Sequence, residues 1–134
     1  MKCLIILPFC ILFLAFAPFK KSQLIGNWTC EKDLYELATG DTVSFTKIKY
    51  NYDLYTWGKY SAGIEFKEDS VFTEYKNVMC STESDEARIY GEKWDLKNGD
   101  TIIVTSDFRK VLFKILSLKG KKLKLKCLSY ISNY

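Results

Sequence analysis

The 134-residue chain contains no histidine. Histidine is the commonest general base in enzymes and the commonest protein ligand for metals, and it completes the usual serine and cysteine triads. The acidic residues fall in groups that are predicted to lie in solvated turns, and no glycine-rich phosphate loop or calcium loop occurs. The sequence therefore predicts a protein that is not an enzyme, binds no metal and needs no cofactor. The acidic groups are Glu65, Glu68 and Asp69, then Glu83, Asp85 and Glu86.

A large excess of charge is also missing. The chain has 20 lysine and arginine residues against 16 acidic ones, and its net charge of +4 does not favour nucleic-acid binding. Patterns with a helical period are scarce, whereas aromatic residues make up 16% of the chain. Both observations favour an all-β fold.

The N-terminal segment, residues 1–17, is typical of a secretory signal peptide. A short basic start and an apolar run precede Ala15-Phe16-Ala17, which places small residues before a cleavage site. Cleavage there leaves a lead-in, residues 18–23, and one domain, residues 24–134. The chain is therefore predicted to be exported, to the periplasm or the medium, as a monomer. An uncleaved N-terminal membrane anchor is the alternative, because Cys3–Phe19 is about long enough to span a bilayer.

Beyond the lead-in, β-type runs alternate with polar turns in hairpin order. Asn98-Gly99 is a strong hairpin signal, and Lys119-Gly120-Lys121 gives another turn. Eight strands in this order can close on themselves, which removes exposed sheet edges. The predicted fold is an all-β, eight-stranded antiparallel up-and-down β-barrel in which the first and last strands are neighbours. The predicted strands are Leu24 to about Leu37, Val43 to about Tyr52, Gly63–Lys67, Ser70–Val78, Arg88–Lys97, Thr101–Ser106, Arg109–Lys119 and Lys122–Ser129.

Aromatic residues are concentrated in and after the second strand. An alternating row in that strand, which begins at Ile48 and ends at Leu54, is predicted to face the interior. The aromatic cluster is either packing over one end of the core or the rim of a ligand pocket, with rings as apolar walls and hydroxyls as polar tips. The candidate ligand-binding residues are Tyr50, Tyr52, Tyr55, Trp57 and Tyr60.

The last strand carries a row of lysines. Lys122, Lys124 and Lys126 alternate with apolar residues, so the strand has a cationic outer row and an apolar inner row. This row is either a solvated face that blocks edge pairing or, with Lys119 and Lys121, a patch for an anionic partner such as a membrane surface.

Three cysteines lie beyond the predicted signal peptide: Cys30, Cys80 and Cys127. Cys30 and Cys127 are both predicted to point inward, so a disulfide between them is possible if the first and last strands are neighbours. The alternative is three reduced, mostly buried thiols.

Four stretches resemble the lipocalin-like domains of small exported bacterial proteins, in the lipocalin or calycin superfamily. They are Gly26-Asn27-Trp28 and the segments Gly63–Tyr75, Gly91–Ile102 and Phe113–Leu125. The resemblance implies an eight-stranded barrel in which Gly26 and Trp28 are structural and the Trp lies under the closed end. Ser70 stands where the family pattern prefers glycine. The pattern also has a late arginine that packs on the Trp, for which this chain offers none.

The resemblance and the aromatic cluster together suggest a binding role. The expectation is an exported lipocalin-like protein that takes a small hydrophobic or amphipathic ligand into the barrel mouth. The alternative is a packed barrel that acts as a protein-interaction or cell-envelope module and has no small-molecule ligand.

Overall fold

The computed structural model describes residues 17–30, 32, 34–49, 62–77 and 86–132. In these ranges helix is limited to a single turn, α1, and a short 3-10 segment, Leu34–Glu36, and the remaining regular structure is β-sheet. The elements are α1 Lys21–Leu24, β1 Gly26–Cys30, β2 Thr42–Ile48, β3 Ala62–Phe66, β4 Val71–Asn77, β5 Glu86–Lys97, β6 Thr101–Thr105, β7 Arg109–Lys119 and β8 Lys122–Ser132.

The eight strands form a closed barrel in which every neighbouring pair is antiparallel. This confirms the predicted all-β, eight-stranded architecture. Strands β3 to β8 follow one another around the barrel in hairpin order, as expected. The up-and-down order is wrong at one place, because β1 lies between β2 and β3, and β2 closes the barrel against β8. The first and last strands are therefore not neighbours.

The register explains this closure. Val43 lies opposite Leu125 and Phe45 opposite Leu123, so the buried rows of β2 and β8 coincide. Strand β1 has only five residues, and all of them pair with β3. The exchange of β1 and β2 therefore gives the longer strand β2 a full apolar partner at the seam. The predicted alternation is wrong at Ile48, which shares the row of exposed Thr42 and Ser44, whereas Val43 and Phe45 face the interior. Tyr50, Tyr52 and Leu54, predicted to share its row, lie outside the described residues.

The first strand is much shorter than predicted. Gly26 has a φ of +122°, a conformation that non-glycine residues rarely adopt, and it marks the bend between α1 and β1. The strand ends at Cys30, and the following 3-10 turn buries Leu34 and Leu37 in the core. These two leucines are buried by the turn and not by a continued strand.

Large apolar side chains fill the described interior. The Phe66 ring lies 5.3 Å from that of Phe72 and 4.8 Å from that of Trp94. Such tilted and edge-on contacts add to the free energy gained by burial. The fully buried side chains of greatest volume are Trp28, Trp94, Phe45, Phe66 and Phe72.

The lead-in and α1 cover one end of the barrel. The backbone N–H of Phe19 donates to the carbonyl of Gly99 at 2.8 Å, and Leu24 is completely buried. The indole N–H of Trp28 donates to the carbonyl of Leu24 at 2.8 Å, which fixes the Trp under this end. Lys47 of β2 places its Nζ 5.0 Å from the centre of the Trp28 ring. A cation therefore stacks on this Trp although no late arginine is available to do so.

The turn before β4 places a serine in a backbone conformation that is unfavourable for residues with a side chain. Ser70 has a φ of +68°, in the left-handed region that favours glycine. Its hydroxyl accepts a hydrogen bond from Nζ of Lys21 at 2.7 Å. The family pattern prefers glycine where this chain adopts a left-handed backbone. Here the serine hydroxyl ties the turn to α1.

Docking of the lead-in on the β5–β6 turn can be tested with two glycines. Gly99 and Gly120 both have positive φ, +70° and +56°, but a Cβ at Gly99 would overlap the Cβ of Pro18, whereas a Cβ at Gly120 would meet nothing within 4 Å. We expect Gly120→Ala to cost about 1 kcal/mol in free energy of unfolding from backbone strain alone. Gly99→Ala should cost measurably more in urea unfolding. Equal losses would show that the lead-in does not dock there.

Candidate functional site

The outer surface of β8 carries the predicted lysine row. Lys122, Lys124 and Lys126 are exposed and alternate with buried Leu123, Leu125 and Cys127. The predicted alternation of a cationic outer row and an apolar inner row is confirmed. Among the described residues no carboxylate forms an ion pair with any of these three lysines. Within the described part of the chain, no carboxylate therefore neutralises the charges of these lysines.

A row of hydroxyls lies beside the lysine row. In the β2–β8 register Thr42 faces Lys126, Ser44 faces Lys124 and Thr46 faces Lys122. Nζ of Lys122 donates a 2.8 Å hydrogen bond to the Thr46 hydroxyl. The unexpected pairing of β2 with β8 thus places three hydroxyl-bearing residues opposite three lysines, and one of these pairs is hydrogen-bonded.

The hydroxyl row forms one side of a surface groove of about 350 Å³. A volume of this size lies within the range of small-molecule sites. The β1 side contributes Thr29, whose hydroxyl donates to the carbonyl of Thr46 at 3.3 Å. Among the described residues, the polar side of the groove is lined by Thr29, Thr42, Ser44, Thr46, Lys32 and Lys122.

The two lysines lie at opposite ends of the hydroxyl row. Lys32 forms a 2.8 Å ion pair with Asp41, the residue that precedes β2, whereas Lys122 lies beside Thr46 near the other end. The hydrogen bond from Lys32, with a second from the N–H of Ala38, lowers the pKa of Asp41. Asp41 therefore stays ionised and holds Lys32 in place, while Lys122 donates to a neutral hydroxyl.

A second group of charges lies inside the barrel, near the end opposite α1. Arg109 binds Glu92 in a bidentate manner, with Nε to Oε1 at 2.6 Å and Nη2 to Oε2 at 2.7 Å, and Nη2 also contacts Oε1 of Glu74 at 2.6 Å. All three side chains are at least nine-tenths buried. Glu74 and Glu92 belong to neither of the acidic groups predicted to lie at solvated turns, and both lie inside the barrel. This buried ion cluster links β4, β5 and β7.

Strand alternation in the sequence indicates the ion cluster, although the acidic groups singled out in the sequence do not include its members. Glu74 lies two residues after inward Phe72, Glu92 two before Trp94, and Arg109 two before Val111. Strand alternation alone places all three charged residues in inward rows. Burial by itself lowers the pKa of Arg109, but the hydrogen bonds that it donates to Glu92 and the charge of Glu74 outweigh this effect, so the pKa lies above its ordinary value. The cluster can act as a permanent electrostatic clamp between strands.

Of the predicted structural and ligand-binding residues, the structure describes two and leaves five outside the described ranges. Gly26 and Trp28 lie together at the covered end, as the resemblance implies. The five predicted ligand-binding residues, Tyr50, Tyr52, Tyr55, Trp57 and Tyr60, lie outside the described residues. Whether they approach a common ligand therefore stays a prediction.

No disulfide joins Cys30 to Cys127, because β2 lies between their strands. Both residues are buried, and the Cys30 thiol donates to the carbonyl of Lys32 at 2.8 Å. Burial raises the pKa of Cys127, so its thiol stays protonated at neutral pH. Cys80 lies outside the described residues.

Removal of the guanidinium tests how much the barrel depends on the buried ion cluster. Arg109→Met leaves the carboxylates of Glu74 and Glu92 buried without their cation. Because buried unpaired charges are costly, we expect a loss of about 3–5 kcal/mol in free energy of unfolding at neutral pH. The loss should shrink as the pH falls, because burying a protonated carboxyl costs less free energy than burying an unpaired carboxylate.

The matched control for this variant replaces the whole cluster. Arg109→Met combined with Glu74→Leu and Glu92→Leu leaves no buried charge among the three positions and should recover most of the lost stability. Circular dichroism during urea unfolding at several pH values measures both effects. A single variant as stable as the parent at neutral pH would contradict the clamp.

Comparison with known proteins assigns neither a family nor a function to this chain. No protein-family model matches the chain, and no curated protein or solved structure matches it either. Among the described residues, α1 and the 3-10 turn are too short to cross a bilayer.

Proposed function

We propose that the protein is a binding module that holds an anionic ligand on the outside of its barrel, in the groove between β1 and the lysine row. The observation that carries this proposal is the lining of the groove, to which four hydroxyl-bearing residues, Lys32 and Lys122 contribute. Hydroxyls donate hydrogen bonds in adjustable directions, and lysine acts on phosphate as a compact point charge. This combination suits a phosphate or sulfate group attached to a small polar molecule.

The described interior also supports an external site. Aromatic rings occupy the half of the barrel near α1, and the ion cluster occupies part of the other half. The guanidinium of Arg109 is already bound to two carboxylates, so an anionic ligand inside would compete with both. Lys122, by contrast, is exposed, and within the described part of the chain it donates to the neutral hydroxyl of Thr46. An anion in the groove could therefore bind the Lys122 ammonium without displacing a described carboxylate from that ammonium.

The affinity of such a site should be modest and salt-dependent. Lys32 and Lys122 are both exposed, so water screens their charges. Binding at the groove therefore depends on several weak contacts acting together. Selectivity would come from the geometry of the hydroxyl row, which is fixed by backbone pairing to β8.

A pair of lysine variants tests the groove. Lys122 lines it, whereas Lys119, directly opposite in the β7–β8 hairpin, does not. We expect glycerol phosphate to bind the parent chain in isothermal titration or by backbone NMR shifts. Lys122→Glu should weaken binding at least about tenfold, because it removes a cation and adds a repelling anion, while Lys119→Glu should have a much smaller effect. Equal weakening by the two variants, or none by Lys122→Glu, would exclude the groove as the site.

We further propose that the chain is an exported, lipocalin-like barrel that functions after cleavage following Ala17. Two observations support this proposal. Phe19 docks on Gly99 and Leu24 accepts the Trp28 indole, so the residues needed to cover the barrel end lie beyond the cleavage position. The Gly26 and Trp28 arrangement at the covered end also agrees with the family pattern. The exchanged positions of β1 and β2 separate this chain from a simple up-and-down barrel.

A small hydrophobic or amphipathic ligand in the barrel mouth is the second candidate function. The observation that favours it is the asymmetry of the barrel, whose α1 end is covered by the lead-in. Small barrels that hold one ligand are entered from one end. Native mass spectrometry of the protein after exposure to organic extracts tests this candidate, and recovery of the protein mass alone would count against it.

A further inference from the structure

Four large apolar side chains of the β7–β8 side of the barrel are exposed to solvent. The exposed fraction is 62% for Phe108, 45% for Leu116, 39% for Leu128 and 52% for Ile131. Phe108 lies in the turn before β7, and the other three lie on the two strands. Single exposed apolar residues are normal, but four on two adjacent strands and the turn that precedes β7 form a surface that needs a physical explanation.

Lysines are interleaved with these apolar side chains. On β7 the outward row alternates Lys110, Leu112, Lys114 and Leu116. On β8 the lysine row continues into Leu128, and Ile131 lies opposite Lys110. The only ion pair that the described residues form with these lysines joins Lys114 to Asp100, at 3.2 Å. We call this surface the β7–β8 face; its members are Phe108, Lys110, Lys114, Leu116, Lys124, Lys126, Leu128 and Ile131.

The mixture decides which kind of partner fits. A protein partner would need a continuous apolar centre, and lysine is depleted from the centres of protein interfaces. Here Lys110, Lys114 and Lys126 separate the apolar residues from one another. A lipid surface accepts both kinds of side chain, because apolar groups enter the boundary of the acyl region while lysine stems extend back to anionic headgroups.

We propose that the β7–β8 face binds the surface of an anionic lipid bilayer. Lys124 and Lys126 supply the attraction, since each lysine near an anionic surface contributes about a fivefold gain in partition. Phe108 and Ile131, at the end of the barrel opposite α1, enter the headgroup boundary. The face adjoins the groove across β8 but does not need it, so loss of binding in the groove leaves this proposal standing.

The direct test is co-sedimentation of the full chain with lipid vesicles. Phosphatidylcholine vesicles are compared with vesicles that also contain phosphatidylglycerol. Residues 3–17 carry no charge and are common to every variant, so their own affinity for lipid cancels in the comparison. We expect stronger binding to the anionic vesicles and a loss of this difference at high salt. Equal binding to the two kinds of vesicle would overturn the proposal.

Charge-reversed variants locate the contact. Lys124→Glu with Lys126→Glu should reduce partition to anionic vesicles by at least about 25-fold, because the contributions of two lysines are lost and two repelling charges are added near the surface. The matched control is Lys93→Glu with Lys97→Glu on β5, which is three strands away from β8 around the barrel. This control has the same net charge and should retain far more binding. Equal losses would mean that net charge, and not this face, governs binding.

Apolar variants and a fluorescent reporter test insertion. The double variant Phe108→Ser with Ile131→Ser keeps every charge. It should reduce partition on the order of tenfold, because two serines transfer far less apolar surface from water to lipid than phenylalanine and isoleucine do. In a separate variant, Phe108→Trp should shift its emission to the blue with anionic vesicles only. Full binding by the serine variant, or an unshifted reporter on bound protein, would overturn insertion. Binding to soluble heparin but not to anionic vesicles would assign the face to a polyanion instead.

Discussion

The pairing of β2 with β8 is the constraint on which the rest of the molecule depends. It closes the barrel by matching Val43 and Phe45 to Leu125 and Leu123, so the buried rows meet without a gap. The same register sets the outward rows, because successive side chains of a strand alternate between faces. The lysines of β8 consequently lie against the hydroxyls of β2. An apolar seam inside the barrel therefore fixes a cationic and hydroxyl-rich surface outside it.

The two ends of the barrel are stabilised by different interactions. Near α1 the Trp28 indole is hydrogen-bonded to Leu24 and stacked under the ammonium of Lys47. Toward the other end, Arg109 holds Glu74 and Glu92 in the interior, where the loss of hydration is costly and must be offset by short charge-assisted hydrogen bonds. The interior is thus apolar near α1 and ionic further along. On the outside, the lysines of β8 form no ion pair with any carboxylate in the described ranges.

Strand alternation and turn chemistry made much of this fold predictable. The hairpins from β3 to β8, the Asn98-Gly99 turn and the lysine row all follow from local patterns. The order of the first two strands does not, because an antiparallel barrel can close through either of them and residues 49–61 exceed what a tight hairpin needs. The groove could not be predicted for the same reason. It exists only because Thr42, Ser44 and Thr46 lie beside β8.

The exchange of β1 and β2 around the barrel can be measured directly by cross-linking. Ser44→Cys with Lys124→Cys places two thiols on directly opposed residues of β2 and β8, whereas Thr29→Cys with Lys124→Cys would be adjacent only if β1 paired with β8. Mild oxidation followed by peptide mass mapping distinguishes the engineered bridge from the native cysteines. The account predicts a bridge in the first variant and none in the second. A bridge only between positions 29 and 124 would contradict it.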